Sequence, residues 1–392
     1  MSHHLISRSP DLKRLRDDGF DLDVVKSNHL LVRGVPYVNS NKEIAYGTLV
    51  SELTLAGEVT TTPGTHTIFF IGNHPCHKDG SEIEQIKHNS GDQDLGNGLV
   101  VNRSFSNKPS GGYKDYYEKI TRYVAIISAP AQAIDPSVTA KTFSPVQTAE
   151  GESVFNYLDT ASSRAGITAA AAKLEGWKIG IVGVGGTGSY ILDLVAKTPV
   201  AEIHLFDADR FLNHNAFRSP GAPSLEKLGE KQLKVDYFKE VYSRMHRGIV
   251  AHGFRIDATN VDLLKGKDFI FLCIDKGGQK RIIVEHLEAW GTPFIDVGMG
   301  VELVEGSLHG ILRATTSTAR KRDHVRTRIS FADNEGEDDY SRNIQIADLN
   351  AHNATLAVIK WKKSLGFYRD LDNEHHCTYT IDGNMLLNED KL

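Results

Sequence analysis

Cysteine is scarce in this sequence of 392 residues. The three cysteines, Cys76, Cys273 and Cys377, are too few and too scattered for a disulfide framework. No Cys-x-x-Cys pair occurs, which excludes a structural zinc site built from four cysteines. We therefore expect neither a disulfide-stapled domain nor a zinc-cysteine fold.

Long apolar runs and an excess of basic residues are also missing. No apolar run approaches the roughly 20 residues that span a bilayer, and the first ten residues lack the apolar core of a signal peptide. The net charge of −5 argues against a nucleic-acid binder, which usually carries a basic domain or stripe. We expect a globular, cytoplasmic protein with neither nucleic acid nor membrane as its partner.

The pattern of the chain changes near its middle. Residues 1–140 contain strand-like runs separated by Asn, Ser, Gly and Pro, with a polar stretch at 78–112 that suggests a long loop. They predict a smaller α+β or β-rich domain, a candidate for partner recognition. Residues 141–154 are rich in Pro, Ser, Thr and Gln and predict a linker.

Residues 155–392 are typical of a different architecture. A helical stretch at 154–176 leads into an apolar strand, and short apolar strands then alternate with helices, one of them at 226–246. This alternation predicts an α/β fold, a Rossmann-like doubly wound parallel sheet. A long helix and a polar C-terminal tail complete the region.

A glycine-rich turn lies at the start of this second region. Gly183, Gly185, Gly186 and Gly188 follow an apolar strand and open a helix, and Asp207 ends the next strand. Glycines let the backbone approach phosphate oxygens, the helix N-terminus supplies amide donors, and Asp207 can accept hydrogen bonds from a ribose. The motif predicts a nucleotide site without distinguishing NAD from ATP.

The residues after Asp207 favour ATP. Attack of a carboxylate on the α-phosphate develops negative charge on its oxygens, so cations and donors are needed around the triphosphate. Asp209, Asn215 and Arg218 follow closely, and either Lys231 or Lys234 supplies a further positive charge.

Asp275 ends the next apolar strand, at the carboxyl edge of the predicted sheet. A carboxylate there is well placed to hold Mg²⁺ with the nucleotide. Farther along, the acidic run Glu337-Asp338-Asp339 indicates a solvated loop that could lie along the path of a partner's tail.

Together these motifs resemble the ThiF-type, or ubiquitin-activating-type, adenylating enzymes over about residues 155–370. The resemblance implies an ATP-binding adenylation domain in which the C-terminal carboxylate of a ubiquitin-like or sulfur-carrier-like protein, ending in glycine, attacks Mg-ATP to give an acyl-adenylate. It also implies a homodimer and a conjugating-enzyme-like protein as a further partner.

The resemblance implies that Asp207 binds the ribose. It also implies that Asn215 and Arg218 bind the phosphates and that Asp275 positions the magnesium. The family lysine usually sits three residues after a glycine, where this chain has Gln232. Lys231 keeps the family's spacing from Arg218 and Asp275 and is slightly favoured, whereas Lys234 keeps the local Lys-Val-Asp sequence.

Two weaker candidates remain. Arg164 lies near where the family places an arginine that reaches the partner subunit's ATP, although a plain surface arginine fits equally well. Cys377, beside two histidines in the polar tail, is a weak candidate for a thioester nucleophile, and Cys273 in its apolar strand is more typical of a core residue. Adenylation is better supported than thioester transfer.

Two other functions stay open. An NAD-dependent oxidoreductase would use the glycine turn and Asp207 but leaves Asn215, Arg218 and Asp275 without a role. A non-catalytic nucleotide-binding scaffold of a modification system would bind ATP and form no adenylate.

Overall fold

The computed structural model describes residues 2–25, 28–148, 150–332 and 344–392. The acidic run at 337–339 therefore lies outside the described residues. The chain forms two compact units, Met1–Val146 and Gln147–Leu392. None of the helices in the described part of the chain is long and apolar enough to cross a membrane.

The first unit is built on an antiparallel sheet. Its six strands have the order β1-β2-β3-β6-β8-β7, and β4 and β5 form a separate small ladder. The strands are β1 Asp21–Val25, β2 His29–Val38, β3 Ile44–Glu52, β4 Leu55–Ala56, β5 Val59–Thr60, β6 Thr67–Ile71, β7 Lys87–Asp94 and β8 Val100–Ser106.

Three helices belong to this unit: α1 Ser2–Arg8, α2 Pro10–Asp17 and α3 Tyr116–Gln132. Helix α3 begins where the side chain of Asp115 accepts a hydrogen bond from the Glu118 amide at 2.7 Å. Its apolar face joins the core of the sheet through Ile120, Tyr123 and Ile127, all fully buried.

The prediction of a long loop at 78–112 is wrong, because β7 and β8 lie within that range. Strand β7 is at the edge of the sheet, and all eight of its residues are exposed. An edge strand that is exposed to solvent on both faces does not alternate apolar with polar residues. Its sequence therefore lacks the pattern that predicts a strand.

The second unit contains an eight-stranded sheet in the order β11-β10-β9-β12-β13-β14-β15-β16. The first five strands in this order are parallel, and the last three continue the sheet in antiparallel fashion. The strands are β9 Lys178–Val182, β10 Glu202–Phe206, β11 Ile249–His252, β12 Phe269–Leu272, β13 Phe294–Val304, β14 Ser307–Ser317, β15 Glu374–Thr380 and β16 Met385–Lys391.

Helices cover both faces of the parallel part, as a doubly wound sheet requires. One apolar core lies under α6 (Gly186–Val195), α9 (Lys234–Tyr242) and α12 (Ala347–Ser364), and a second lies under α10 (Gly277–Trp290). The prediction of a Rossmann-like α/β fold with a smaller β-rich domain is confirmed. The other α-helices among the described residues of this unit are α4 Thr160–Arg164, α5 Thr168–Ala171, α7 Asn213–Ala216, α8 Leu225–Gly229 and α11 Val325–Arg328.

Three local predictions differ from the structure. The helical stretch at 154–176 consists of the short α4 and α5, separated by Gly166 with a positive φ of 70°. The helix at 226–246 divides into α8 and α9, with Lys231 at φ 49° between them. The prediction of a polar C-terminal tail is wrong, because β15 and β16 extend the sheet there.

Candidate functional site

Three strand ends define the candidate site. Val182 of β9 pairs with Phe206 of β10 on one side and with Leu272 of β12 on the other. The three strands are parallel, so the segments that follow them leave the sheet at the same edge. Because β10 and β12 lie on opposite sides of β9, this edge is the switch point where α/β sheets bind ligands.

Two positions of the glycine turn after β9, Gly183 and Gly188, leave no room for a Cβ atom. Gly183 has a φ of 87°, and a Cβ atom there would lie 2.7 Å from the carbonyl oxygen of Cys273. A Cβ atom on Gly188 would lie 1.9 Å from the carbonyl oxygen of Gly183. At Gly185, by contrast, a Cβ atom would meet nothing within 4 Å, so a ligand can approach the backbone there.

Asp207 fixes this turn to the end of β10. Its Oδ2 accepts a hydrogen bond from the Val184 amide at 2.9 Å, and its Oδ1 accepts one from the Asp209 amide at 2.9 Å. Burial raises the pKa of the Asp207 carboxyl, and nearby Lys234 opposes that rise. Each carboxylate oxygen keeps a further lone pair, so the group can still accept from a ligand hydroxyl.

Lys234 joins the two acidic residues. Its Nζ lies 2.9 Å from Oδ2 of Asp209 and 3.9 Å from Oδ1 of Asp207, and its backbone amide donates to the Asp209 carbonyl at 2.8 Å. Burial pushes the pKa of Asp209 up, but Lys234 and Arg255 together outweigh it and hold that pKa below its usual value.

Lys231 occupies a different environment. Its side chain is exposed, its amide donates to the Leu228 carbonyl, and its own carbonyl accepts from Arg210 Nη1 at 2.7 Å. The structure thus brings Lys234, rather than Lys231, to the acidic pair.

The segment after β10 presents donors without partners. Asn215 is 3% exposed, and its Oδ1 accepts from the Leu212 amide at 2.9 Å. Its Nδ2 is buried and has no hydrogen-bond partner among the described residues, and the same holds for Nε of half-buried Arg218. Such donors are costly to leave unpaired, and acceptor oxygens of a bound ligand would satisfy them.

Asp275 lies three residues beyond the end of β12, just before α10 begins. Its side chain is exposed, and within the described ranges it forms no hydrogen bond or ion pair. No group of three or more His, Cys, Asp or Glu side chains in the described part of the chain is placed to hold a metal ion. Asp275 is thus a single exposed carboxylate between the end of β12 and the start of α10.

The two weaker candidates lie elsewhere in the unit. Arg164 is the exposed last residue of α4. Cys377 belongs to β15, pairs with Ala314 of β14 and is 2% exposed in the apolar core. Burial raises the pKa of the Cys377 thiol, which disfavours the thiolate that a nucleophile requires.

Two contacts of the site had no sequence prediction. Arg255, just after β11, places Nη2 3.2 Å from Oδ1 of Asp209. Asn350 of α12 accepts a hydrogen bond from Thr187 of the glycine turn at 2.9 Å. The position of Arg255 after a strand was a usable signal, whereas nothing local marks a polar residue in a helix that starts 159 residues after Gly188.

Comparison with known families agrees with this geometry. Residues 160–345 match the ThiF family model. We call residues 160–345 of the second unit the ThiF domain, after the family model that they match. Residues 10–160 match a family described as a domain of unknown function, DUF6791. No curated protein matches the sequence of the chain.

Solved structures similar to the chain cover a little more than half of it. E. coli MccB with ATP has 17% identity and a TM-score of 0.43, covering 57% of this chain and 66% of that one. E. coli MccB with succinimide has 18% identity and a TM-score of 0.45, with the same coverage. PaaA has 18% identity and a TM-score of 0.44, covering 58% of this chain and 76% of that one. The chain thus spans slightly less than two thirds of MccB.

Proposed function

We propose that the ThiF domain uses Mg-ATP to adenylate the C-terminal carboxylate of a protein partner. The observation that carries the proposal is the pair of buried donors without partners, Asn215 Nδ2 and Arg218 Nε. An unpaired buried donor costs about 1–3 kcal/mol, and phosphate oxygens would remove that cost. The family assignment supports the same chemistry.

The nucleotide is assigned to the edge where β9, β10 and β12 end. Its phosphates would meet the open backbone at Gly185 and the N-terminus of α6, and its ribose hydroxyls would donate to Asp207. Lys234 supplies positive charge beside Asp209. Asp275 would hold Mg²⁺ jointly with phosphate oxygens, and the ion would neutralise charge on the triphosphate.

The reaction needs no base. An oxygen of the partner's ionised carboxylate bonds to the α-phosphorus, the bond from that phosphorus to the bridging oxygen breaks, and pyrophosphate leaves with the electron pair. Negative charge grows on the α-phosphate oxygens during this exchange. Arg218 and Asn215 are fixed donors for that charge, so they act more strongly on the transition state than on bound ATP.

The partner we propose is a ubiquitin-like or sulfur-carrier-like protein that ends in glycine, with a conjugating-enzyme-like protein downstream. A homodimer and a cytoplasmic location accompany the proposal as predictions. The first unit is the candidate for recognising the partner. We propose no thioester on Cys377, because its thiol is buried in the apolar core.

Pyrophosphate exchange tests the proposal. Labelled pyrophosphate should enter ATP when the wild-type chain, Mg²⁺, ATP and a competent ubiquitin-like protein are combined. The matched control is the same partner without its terminal glycine, which should give no exchange. ATP binding without exchange across all partners would favour the scaffold, and NADH binding without ATP binding would favour the oxidoreductase.

A further inference from the structure

Asn350 of α12 contacts both halves of the proposed nucleotide site. Its Oδ1 accepts a hydrogen bond from Thr187 Oγ1 at 2.9 Å, and its Nδ2 donates to the Arg218 carbonyl at 3.4 Å. The side chain is 1% exposed. A Cβ atom on Gly186 would lie 2.3 Å from Asn350 Nδ2, so the amide lies directly against the glycine turn.

Asn350 joins two connections of the sheet that are also linked, close to the strand ends, by the hydrogen bond from the Val184 amide to Asp207. Thr187 lies in the first turn of α6, which follows β9, and Arg218 lies between β10 and α9. Within the second segment, the Arg218 amide and the Ser219 hydroxyl both donate to the Asn215 carbonyl, at 3.1 and 2.7 Å. A shift of the Arg218 carbonyl therefore moves Asn215 as well.

We infer that Asn350 is a positioning residue for adenylation, which sets the distance between the glycine turn and the donors of Asn215 and Arg218. The inference rests on the proposed function, since it gives this distance a catalytic meaning. Asn350 itself is buried and would act through Arg218. A misplacement of about 1 Å in a catalytic group can cost about 100-fold in rate, so a buried amide that fixes the spacing has a large effect.

Three substitutions separate the two contacts. Asn350→Leu removes both hydrogen bonds and keeps the number and branching of the side-chain heavy atoms. Asn350→Asp keeps an acceptor for Thr187 but loses the donor to the Arg218 carbonyl, and Thr187→Val removes only the other contact. Asn353→Leu is the matched control, because Asn353 is buried one turn later on the same helix and donates to the Gly298 carbonyl at 3.0 Å.

The first readout is amide hydrogen exchange of residues 212–219 in the full chain without nucleotide. The amides of Leu212, Asn215 and Arg218 are hydrogen-bonded, so they are protected from exchange in wild type. We expect Asn350→Leu and Asn350→Asp to speed their exchange at least about tenfold, with a smaller effect for Thr187→Val. Asn353→Leu should leave their exchange at the wild-type rate.

The second readout is kinetic. In pyrophosphate exchange we expect kcat of Asn350→Asp to fall about 10- to 100-fold, with ATP affinity changed less than about threefold.

Hydrogen exchange at 212–219 that is no faster in the Asn350 variants than in Asn353→Leu would overturn the inference. If wild type neither binds nor uses ATP, the proposed function fails, and hydrogen exchange still decides whether Asn350 holds the segment. Should Asn350→Leu not fold, Asn350→Asp and Thr187→Val carry the test.

Discussion

Lys234 Nζ lies 2.9 Å from Asp209 Oδ2, at the point where α9 begins. Its side chain is almost completely buried, whereas Lys231 is exposed. We expect Lys234→Met to lower the free energy of unfolding by about 1–3 kcal/mol, because it leaves buried Asp207 without its cation. It should also weaken ATP binding about tenfold or more, since one positive charge beside the triphosphate is lost.

Lys231→Met is the control for that substitution. We expect its unfolding free energy to stay within about 0.5 kcal/mol of wild type and its ATP affinity to change little. Urea unfolding and calorimetric titration with Mg-ATP measure the two quantities. A Lys231 variant that loses more ATP affinity than the Lys234 variant would reverse our assignment of the lysine.

Asp275→Asn should abolish adenylation without affecting the fold. The substitution removes the free carboxylate proposed for magnesium, and we expect the rate of pyrophosphate exchange to fall at least about 100-fold. The unfolding free energy should change by less than about 0.5 kcal/mol, because the side chain is exposed. Asp262→Asn, an equal charge change at an exposed position, is the control. Exchange in Asp275→Asn at the rate of this control would exclude Asp275 as the magnesium ligand.

The part of the site nearest the glycine turn could be predicted from sequence, because strand, turn and helix are adjacent in the chain. Gly183 and Asp207 follow apolar strands, and parallel strands bring such ends to one edge. The choice of lysine could not be made in this way. Spacing favours Lys231, but the turn between α8 and α9 leaves Lys231 exposed, whereas Lys234 is at the start of a helix and contacts Asp209.

Because of Lys119, we expect the free energy of unfolding of the first unit to depend on pH in an unusual way. The side chain is fully buried, its Nζ donates to Ser51 Oγ and the Thr65 carbonyl at 3.0 Å, and burial lowers its pKa from 10.5 to about 8. Below pH 8 both states hold the proton. Between pH 8 and 10 the unfolded chain keeps a proton that the folded chain releases, so stability should rise by up to about 1.4 kcal/mol per pH unit.

The comparison of wild type with Lys119→Met isolates this effect. Burial raises the pKa of Cys76 and of Tyr123, and these groups work in the opposite direction above pH 9 to 10, but both proteins carry them. Unfolding of the first unit can be followed by pulse labelling of buried Cys76 at one fixed pH after equilibration in urea. A stability difference between the two proteins that stays constant from pH 7 to 9.5 would contradict the assignment to Lys119.

Cys377 should behave as a core residue. We expect iodoacetamide to label it at least about 100-fold more slowly in the native protein than in urea, because its thiol is buried and its pKa is raised. Cys377→Ala should keep pyrophosphate exchange. A thioester adduct with the partner, cleaved by added thiol, that forms in wild type and disappears in Cys377→Ala would show instead that Cys377 is a nucleophile.

The elements that sequence missed share a physical cause. Strand β7 is exposed along its whole length and has no apolar face to read. Strand β15 packs Cys377 into the core beside the polar residues His375 and His376, which are themselves buried. Asn350 reaches the site only through tertiary packing, so its role depends on contacts that no local pattern encodes.

The most direct test of the central claim is calorimetric titration of the full-length chain with ATP in the presence of Mg²⁺. We predict saturable binding of one ATP per chain to wild type, and binding weakened less than about tenfold in Arg218→Ala, whose adenylation should be about 100- to 1000-fold slower. We also predict no heat of binding for NADH at the same concentrations. Saturable binding of NADH with no binding of ATP would contradict the account.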